Sequence, residues 1–239
     1  MPQPMRHTRL LALLLTASLI AVFTWLIANQ RISLPPRWDP FAPLDVQAPL
    51  GPLTPWRLWR ATHDPVACRT ALNTAHMTYV PVPDQTTPST CQLQNVLRVE
   101  RFEDACPSSS FLATCPLALA LAMYERHYLQ PAAQAIYGES LRQIVHVGSY
   151  ACRNVNHEAQ GPLSEHAFAN AIDIEGFVLA DGSTISVAHD GSRDTRAGTF
   201  VRRARDGACA VFHTVLGPDY NALHRAHFHV DMGPYRVCS

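Results

Sequence analysis

The pattern of apolar and polar positions divides the chain into three parts. Residues 10–28, LLALLLTASLIAVFTWLIA, form a run of 19 residues without a charge, close to the ~20 residues that cross a bilayer as a helix. Residues 31–60 contain seven prolines, and such a segment is typical of an extended, semi-rigid stalk. Residues 61–239 mix helical and strand periodicities, which predicts a folded domain with a core of its own.

Two long segments of this domain have helical patterns. PLALALAMYERHYL opens with Pro116 and is apolar nearly all round in its first half, which predicts a buried helix. Pro131 either ends this helix or starts the next one. TFVRRARDGACAVFHTVLG predicts a second long helix, broken or kinked near Gly207, with Gly217-Pro218 as its end.

The remaining patterned segments alternate as strands do. VLRVERF and RQIVHVGSYACR predict strands, and NAIDIEGFVLADGSTISV predicts a hairpin around Asp181-Gly182. The last strand falls in ALHRAHFHVDMG, near the C-terminus. Helices that come first and a mostly antiparallel sheet that follows predict an α+β domain.

The charge composition narrows the class of partner. The 239 residues include 19 basic and 19 acidic ones, for a formal net charge of zero. Nucleic-acid-binding domains usually carry a basic excess. We therefore expect no nucleic acid as the main partner.

The flanks of the apolar run favour a retained membrane anchor over a cleaved signal peptide. A signal peptide has a shorter apolar core and a small-residue cleavage site, whereas this run is long and has Trp25 near its outer end, as an interfacial residue would be. Two arginines precede the run and two follow it, so the charges do not set the orientation. The alternative of a cleaved signal peptide stays open.

The cysteines indicate the compartment. Seven cysteines are dispersed over the region after the apolar run, and none of them forms a C-x-x-C pair. Dispersed cysteines suit disulfides in an oxidising compartment, although reduced core cysteines in a cytosolic protein would give the same count. We expect Cys209 and Cys238 to pair, because both flank the last strand, and Cys106 to be the odd thiol. Residues 1–30 are therefore predicted to form a short cytoplasmic tail and a transmembrane anchor at residues 10–28, with the domain outside the cytoplasm.

The last predicted strand carries candidate chemistry. Side chains alternate between the two faces of a strand, so His227, His229 and Asp231 share one face while Phe228 and Val230 face a core. A metal site needs a further partner elsewhere in the chain. Without one, the pattern describes only two histidines on the solvated face of a half-buried strand.

Such a partner lies in LSEHAFANAIDIEGF. His166 precedes a predicted strand at residues 171–176, and Asp173 lies on the face of that strand opposite Ile172 and Ile174. One histidine and one aspartate there, with one histidine on the last strand, make two nitrogen ligands and one oxygen ligand. Three protein ligands with an open fourth position are typical of a catalytic zinc site, where the metal lowers the pKa of a bound water toward ~7.

These motifs carry a family resemblance. S-x-H-x(6)-D followed by H-x-H resembles the motif of the LAS metallopeptidases, which include lysostaphin-type, D-Ala-D-Ala-cleaving and hedgehog-like domains. Residues from about 61 to 239 resemble most closely the bacterial extensin-like C-terminal domain family, through PLALALAMYERH, GSYACR, LSEHAFANAIDIEGFVLADG and VLGPDYNALHRAHFHVDM. The resemblance implies a LAS-like zinc fold, with helices packed on one side of the sheet and with His166, Asp173 and His229 as the zinc ligands.

The resemblance also implies roles for residues around the metal. His227, the first histidine of H-x-H, would act as base or stabilise the transition state, and His224 matches a further histidine of the murein endopeptidase branch. Many carboxypeptidase relatives place a glutamate base where this chain has Ala226. Arg153 resembles an arginine that holds a substrate carboxylate, and Tyr220 is a candidate oxyanion donor.

Two functions of different classes follow from these residues. The first is a zinc metallopeptidase, anchored in the inner membrane by a single helix with its domain in the periplasm, that hydrolyses amides of peptidoglycan stem peptides. The second is a zinc-containing module that binds or scaffolds the cell wall without catalysis, which the missing glutamate at position 226 keeps open. The substrate assignment rests on analogy between folds.

Overall fold

The computed structural model describes residues 4–29, 31–85 and 91–239. Its α-helices are α1 (Pro4–Ala28), α2 (Thr54–His63), α3 (Pro65–Leu72), α4 (Cys115–Tyr124), α5 (Gln130–Tyr137), α6 (Val187–Asp190) and α7 (Arg196–Val211). Its strands are β1 (Thr78–Pro81), β2 (Val96–Arg101), β3 (Cys106–Pro107), β4 (Phe111–Thr114), β5 (Leu141–Gly148), β6 (Ala171–Leu179), β7 (Thr184–Ser186), β8 (Thr214–Leu216), β9 (Phe228–Asp231) and β10 (Val237–Cys238).

The strands form two sheets. The smaller sheet has the order β1-β2-β4, and both of its pairings are antiparallel. The larger sheet has the order β10-β8-β9-β6-β5-β3, and β7 adds to β6. Its central pairings are antiparallel, whereas β10 with β8 and β3 with β5 are parallel. The predicted α+β class is confirmed.

One face of the larger sheet packs against helices. Ile172 of β6 and Val230 of β9 are buried in the main core cluster. Phe177 of β6 meets Phe200 of α7 with ring centroids 5.2 Å apart, and the Tyr124 hydroxyl of α4 donates to the Ala204 carbonyl at 2.9 Å. The alternation along β6 and β9 therefore places their polar side chains on the face away from this helix contact.

Pro131 lies at the start of α5, as one of the two predicted alternatives has it, but α5 follows the preceding helix without a break. α4 continues through a π-helical turn, Glu125–Leu129, directly into α5, where Pro131 lies in the first turn. Proline has no N–H to give to the carbonyl four residues earlier. The wider hydrogen bonding of a π turn accommodates that gap within a continuous helix.

The second helical prediction was wrong at two points. α7 runs without interruption through Gly207, and a Cβ at this position would come within 2.6 Å of the Tyr128 Cβ. Gly207 is thus required by close packing and does not mark a break. The helix also ends at Val211, because residues 214–216 pair with β9 as strand β8, so tertiary pairing overrides the local helical pattern. The hairpin of β6 and β7 around Asp181-Gly182 is confirmed.

Residues 31–60 are not extended throughout. Leu44, Val46 and Leu58 are buried in the core cluster of the domain, and α2 begins at Thr54. The Val46 amide donates to the Thr74 hydroxyl at 2.8 Å. Burial of these apolar side chains stabilises the docked arrangement, at roughly 25 cal/mol per Å² of apolar surface. Part of the segment predicted as a stalk therefore packs against the domain.

Helix α1 has the length and composition of a membrane span. The span Thr8–Ala28 is 21 residues long with a mean hydropathy of 2.5, and only 6% of its most apolar window is buried. A signal sequence near the N-terminus would have the same properties. The structure therefore supports an N-terminal apolar helix of one of these two kinds.

Disulfides link distant parts of the domain. The pairs are Cys68–Cys115, Cys91–Cys152 and Cys209–Cys238. The remaining cysteine, Cys106, is a free thiol. The predicted pairing of Cys209 with Cys238 and the predicted odd residue Cys106 are both confirmed. Cys91–Cys152 places a covalent tie next to Arg153, which lies at the candidate site.

Candidate metal centre

Asp173 and His229 face each other across the β6–β9 pair. The two residues are directly opposite in the antiparallel register, and their neighbours Ile172 and Val230 form the next pair. On its other side Asp173 is paired with Gly148 of β5. The sheet thus fixes the two side chains on one face, beside each other, as the alternation predicted.

His166 reaches the same point from a tight turn. It lies in the 3₁₀ helix Glu165–Phe168, where the Ser164 hydroxyl accepts a hydrogen bond from the His166 amide. Ala169 then ends the turn in the left-handed conformation, with φ at +55°. The His166 side chain is only 3% exposed, and its Nδ1 lies 3.1 Å from the Ser149 carbonyl oxygen.

The three predicted ligand residues converge within metal-binding distance. One ligand atom from each of His166, Asp173 and His229 lies within 4.8 Å of the other two. The separations are 3.0 Å for His229 Nδ1 to Asp173 Oδ1, 3.1 Å for His166 Nε2 to His229 Nδ1 and 3.3 Å for His166 Nε2 to Asp173 Oδ1. Two ligands of one tetrahedral zinc ion lie about 3.4 Å apart, so these separations suit a shared cation.

The hydrogen bonds on the far side of each ring favour a cation here. The Ser149 carbonyl can only accept, so His166 Nδ1 donates to it and His166 Nε2 faces the centre. His229 Nε2 likewise donates to the Asp231 carboxylate at 3.0 Å, which leaves His229 Nδ1 facing the centre. With neutral rings, two nitrogen lone pairs and one carboxylate converge. A metal ion, or a proton when no metal is bound, is needed among them.

The electrostatics of the metal-free centre agree with this arrangement. Burial would raise the pKa of Asp173, but hydrogen bonds from His166 and His229 outweigh it and lower that pKa below its usual range. Burial would lower the pKa of His229, but its hydrogen bonds to Asp173 and Asp231 outweigh burial and raise that pKa to about 9. Without metal, therefore, a proton on His229 supplies the positive charge that this centre requires.

His227 and His224 line the same cleft outside the triad. His227 Nε2 lies 3.6 Å from Asp173 Oδ1, and the His224 ring centroid is 5.4 Å from that of His227. Burial, with the charge of His229 second, lowers the pKa of His224 to about 4. Burial also lowers the pKa of His227, against the opposing effect of Asp173. Both rings are therefore held in the neutral form near neutral pH.

A cleft of about 540 Å³ lies beside the triad and is lined by Asp173 and His229, with His166 buried behind them. Arg153 and Tyr220, the two predicted substrate contacts, both lie in its wall. Within the described residues the Arg153 side chain forms no ion pair, and its one hydrogen bond is a long one, 3.4 Å, to the Asn154 carbonyl. Tyr220 is 48% exposed and its ring centroid lies 5.5 Å from that of His224.

Two residues around the triad have supporting roles, and one of them escaped sequence reasoning. Asp231 shares a strand face with His229 and accepts its Nε2–H, as metal-ligating histidines usually require. Ser149 orients His166 through a backbone carbonyl, which no side-chain motif reveals beyond its position in GSYACR. Glu165 accepts a hydrogen bond from the Asn170 side chain at 2.6 Å, which holds the turn.

Comparison with known proteins establishes the family. The model of the extensin-like protein C-terminus matches residues 66–239, well over half of the 239-residue chain. The chain belongs to the extensin-like protein C-terminus family. Comparisons with curated proteins and with solved structures found no match. The family resemblance is confirmed, and the relation to LAS metallopeptidases stays a prediction.

Proposed function

We propose that this protein is a zinc-dependent peptidase of the bacterial envelope that cleaves amide bonds in peptidoglycan stem peptides. The observation that carries the proposal is the convergence of His166, Asp173 and His229 beside an open cleft, into whose lining Asp173 and His229 reach. A donor set of two imidazoles and one carboxylate suits zinc, whereas magnesium and calcium prefer shells of oxygen. The proposal includes a LAS-like fold, an anchor in the inner membrane formed by α1 and a periplasmic domain.

The chain's own residues would hold the metal and place the substrate. His166, Asp173 and His229 would be its ligands, and the cleft leaves the remaining side open for substrate. When bound there, zinc lowers the pKa of a water ligand toward ~7 and polarises a carbonyl. Asp231 and the Ser149 carbonyl orient the two imidazoles, so the ligands are positioned before the metal arrives.

His227 is the candidate proton acceptor. It lies beside the triad, 3.6 Å from the Asp173 carboxylate, and its ring makes no hydrogen bond within the described residues. A neutral imidazole in this position accepts a proton during attack on the amide and returns it to the leaving amine. His224 stands behind it, with its Nδ1 2.8 Å from the Asn221 side-chain oxygen, and lines the approach to His227.

Arg153 is the candidate reader of a substrate carboxylate. Its guanidinium lines the cleft without an ion-pair partner among the described residues, and a planar two-pronged donor matches a carboxylate. Stem peptides carry free carboxylates. Tyr220 is placed on the same wall to donate a hydrogen bond to a developing oxyanion.

A non-catalytic wall-binding or scaffolding module is the second candidate. The specific observation in its favour is Ala226, which stands exposed where related carboxypeptidases have a glutamate base. The acidic residues in the cleft wall are otherwise engaged: Asp173 in the triad, Asp231 with His229, and Glu165 with Asn170. If His227 does not act as the base, the site binds metal and wall peptides without turnover.

A turnover assay separates the two candidates. The full chain would be incubated with purified wall fragments with and without chelator, and the released peptides measured by mass spectrometry. We expect chelator to abolish release and added zinc to restore it. The control variant is His189→Ala, which changes an exposed histidine of α6 and should leave release unchanged. Zinc-loaded protein that releases nothing would support the binding module.

A further inference from the structure

A second and larger cavity lies next to the metal cleft and has no role in the proposed chemistry. Its volume is about 800 Å³, within the range of sites that enclose small ligands. Its walls come from the end of α2 with the start of α3, residues 94–95, the start of α4, the turn at residues 165–170, His213, and residues 232–236. None of the triad residues lines it.

The two cavities share one wall. Glu165 lines both of them. Among its neighbours, Ser164 and Asp231 line the cleft, whereas Phe168 and Gly233 line the larger cavity. A Cβ added to Gly233 would come within 2.8 Å of the Glu165 carboxylate, so the partition is thin and tightly packed. The two cavities are therefore direct neighbours, separated by the contact between Glu165 and Gly233.

An aromatic edge lines one side of the larger cavity. Trp59 is 42% exposed and stacks on Trp56 with ring centroids 5.0 Å apart. The His63 ring continues this ladder, 4.8 Å from Trp59, and reaches toward His213. Indole groups provide a large apolar surface with one polar N–H, and they suit ligands that are apolar on one face and polar at the edges.

The polar groups of the cavity are mainly donors and carboxamides. Arg236 is exposed and forms no ion pair within the described residues, and Arg69 donates to the Asn95 side chain at 3.3 Å. The cavity's acids are already engaged, because Asp64 caps α3 and Glu165 accepts from Asn170. The arginines Arg69 and Arg236 balance the carboxylates of Asp64 and Glu165, so these four side chains carry no net formal charge. This balance disfavours a polyanion and favours a ligand rich in hydroxyl and carbonyl groups.

We infer that this cavity is a binding site for an N-acetylated saccharide. Acetamido carbonyls would accept from the guanidinium of Arg236, hydroxyl groups would pair with the carboxamides of Gln94 and Asn95, and the apolar face of a sugar ring would lie on Trp59. The inference rests on the proposed function and deepens it: a peptidoglycan fragment carries a peptide for the cleft and an N-acetylated glycan for the adjoining cavity.

Calorimetric titration of the full chain tests the inference. The protein would be kept in a zwitterionic detergent without a sugar headgroup and titrated with the tetramer of N-acetylglucosamine, with maltotetraose as the control. We expect the tetramer to bind and maltotetraose not to bind. Trp59→Ala and Arg236→Ala should each weaken binding about tenfold, since buried aromatic and arginine contacts commonly contribute more than 1 kcal/mol.

Matched variants keep the test specific. Trp38→Ala and Arg98→Ala remove an exposed tryptophan and an exposed arginine outside the cavity and should leave the affinity unchanged. Arg236 is on the surface, so its substitution is informative even if Trp59→Ala impairs folding. Equal affinity in the Arg236→Ala variant and the unmodified protein would overturn the assignment.

The remaining outcomes separate this inference from the proposed peptidase. Hydrolysis of wall peptides without any binding of the tetramer would contradict the saccharide site and leave the peptidase standing. Binding of the tetramer without hydrolysis of wall peptides would contradict the proposed peptidase and leave the saccharide site standing. If the tetramer does not bind and Trp59→Ala weakens the binding of a free stem peptide, the cavity takes peptide and the saccharide assignment is wrong.

Discussion

Two regions supply histidines to one site in different ways. The first is the strand pair β6–β9 with the turn at His166, and the second is the loop that precedes β9. The side chains of His166 and His229 are 3% and 12% exposed, and each ring is hydrogen-bonded on the side away from the centre. On the loop side, His227 is 19% exposed, and within the described residues the His224 ring is hydrogen-bonded only to Asn221. The first pair is fixed by the sheet and its turn, and the second remains free to meet a ligand.

This difference assigns separate roles to neighbouring residues. A metal ligand needs a ring whose outer nitrogen is engaged, so that the inner one points at the ion. A proton acceptor needs a ring whose nitrogen is not committed to the protein. The H-x-H spacing, which predicted both side chains on one face of a strand, does not distinguish the role of His227 from that of His229, and only His229 lies within β9. Their hydrogen-bond partners do distinguish the two roles.

The largest loss of metal and turnover is expected from substituting a metal ligand on the strand pair β6–β9. Asp173→Asn keeps the size of the side chain but removes the charged ligand between two imidazoles. Because two protein ligands hold zinc poorly, we expect bound metal and turnover to be lost together. Metal analysis and peptide release on the same preparation check this. Full metal content in this variant would show that Asp173 is not a ligand.

A smaller effect, on turnover alone, is expected from substituting a histidine in the loop that precedes β9. His227→Ala should retain metal and lower turnover by ~10²- to 10⁴-fold, the usual contribution of a positioned acid or base. The measurement is kcat on stem peptides together with zinc content. His224→Ala is the comparison, because its ring stands behind His227 and is bonded to Asn221. A His227→Ala variant that has lost its zinc would place that residue among the ligands.

Substitution of Asp231, which orients His229, is expected to lower the affinity for metal. Asp231→Asn weakens the acceptor for His229 Nε2–H without touching the centre directly. We expect metal affinity to fall ~10- to 100-fold, as for other residues that orient a metal ligand. Competition with a chelator of known affinity measures this. Asp219→Asn, an exposed carboxylate paired with Arg205, is the control and should behave as the unmodified protein.

The smallest effect is expected at the cleft wall. Arg153→Lys keeps the charge and removes the two-pronged geometry. We expect KM for peptides with a free carboxylate to rise about tenfold, which is the cost of one lost charged hydrogen bond, with kcat and metal content unchanged. Arg225→Lys, on the exposed loop, serves as control. An equal rise for substrates whose carboxylate is blocked would show that Arg153 does not read that group.

The sequence predicted the sheet side of the site well because alternation is a local property. The apolar pairs at Ile172 and Val230 determine which face Asp173 and His229 occupy, and that face needs no distant information. The Cys209–Cys238 pair was equally accessible, because both residues flank the last strand. Strand β8 was missed because TVL becomes a strand only through pairing with β9.

Other features depend on contacts that no local pattern encodes. The π turn before Pro131 follows from hydrogen bonding inside a continuous helix, and Gly207 is required by Tyr128 from another helix. The carbonyl of Ser149 orients His166 from 17 residues away along the chain. The larger cavity draws its walls from segments between α2 and the C-terminus, so its existence could not be inferred from any one motif.

Zinc content per chain tests the central claim most directly. The full chain and its His229→Ala variant would be purified without chelator and exchanged into metal-free buffer. Their zinc content would then be measured by elemental mass spectrometry. We predict close to one zinc per chain for the unmodified protein and close to none for His229→Ala, with His189→Ala matching the unmodified protein. Equal zinc content in the unmodified and His229→Ala proteins, or no bound metal in either, would contradict the assignment of His166, Asp173 and His229 as a zinc site.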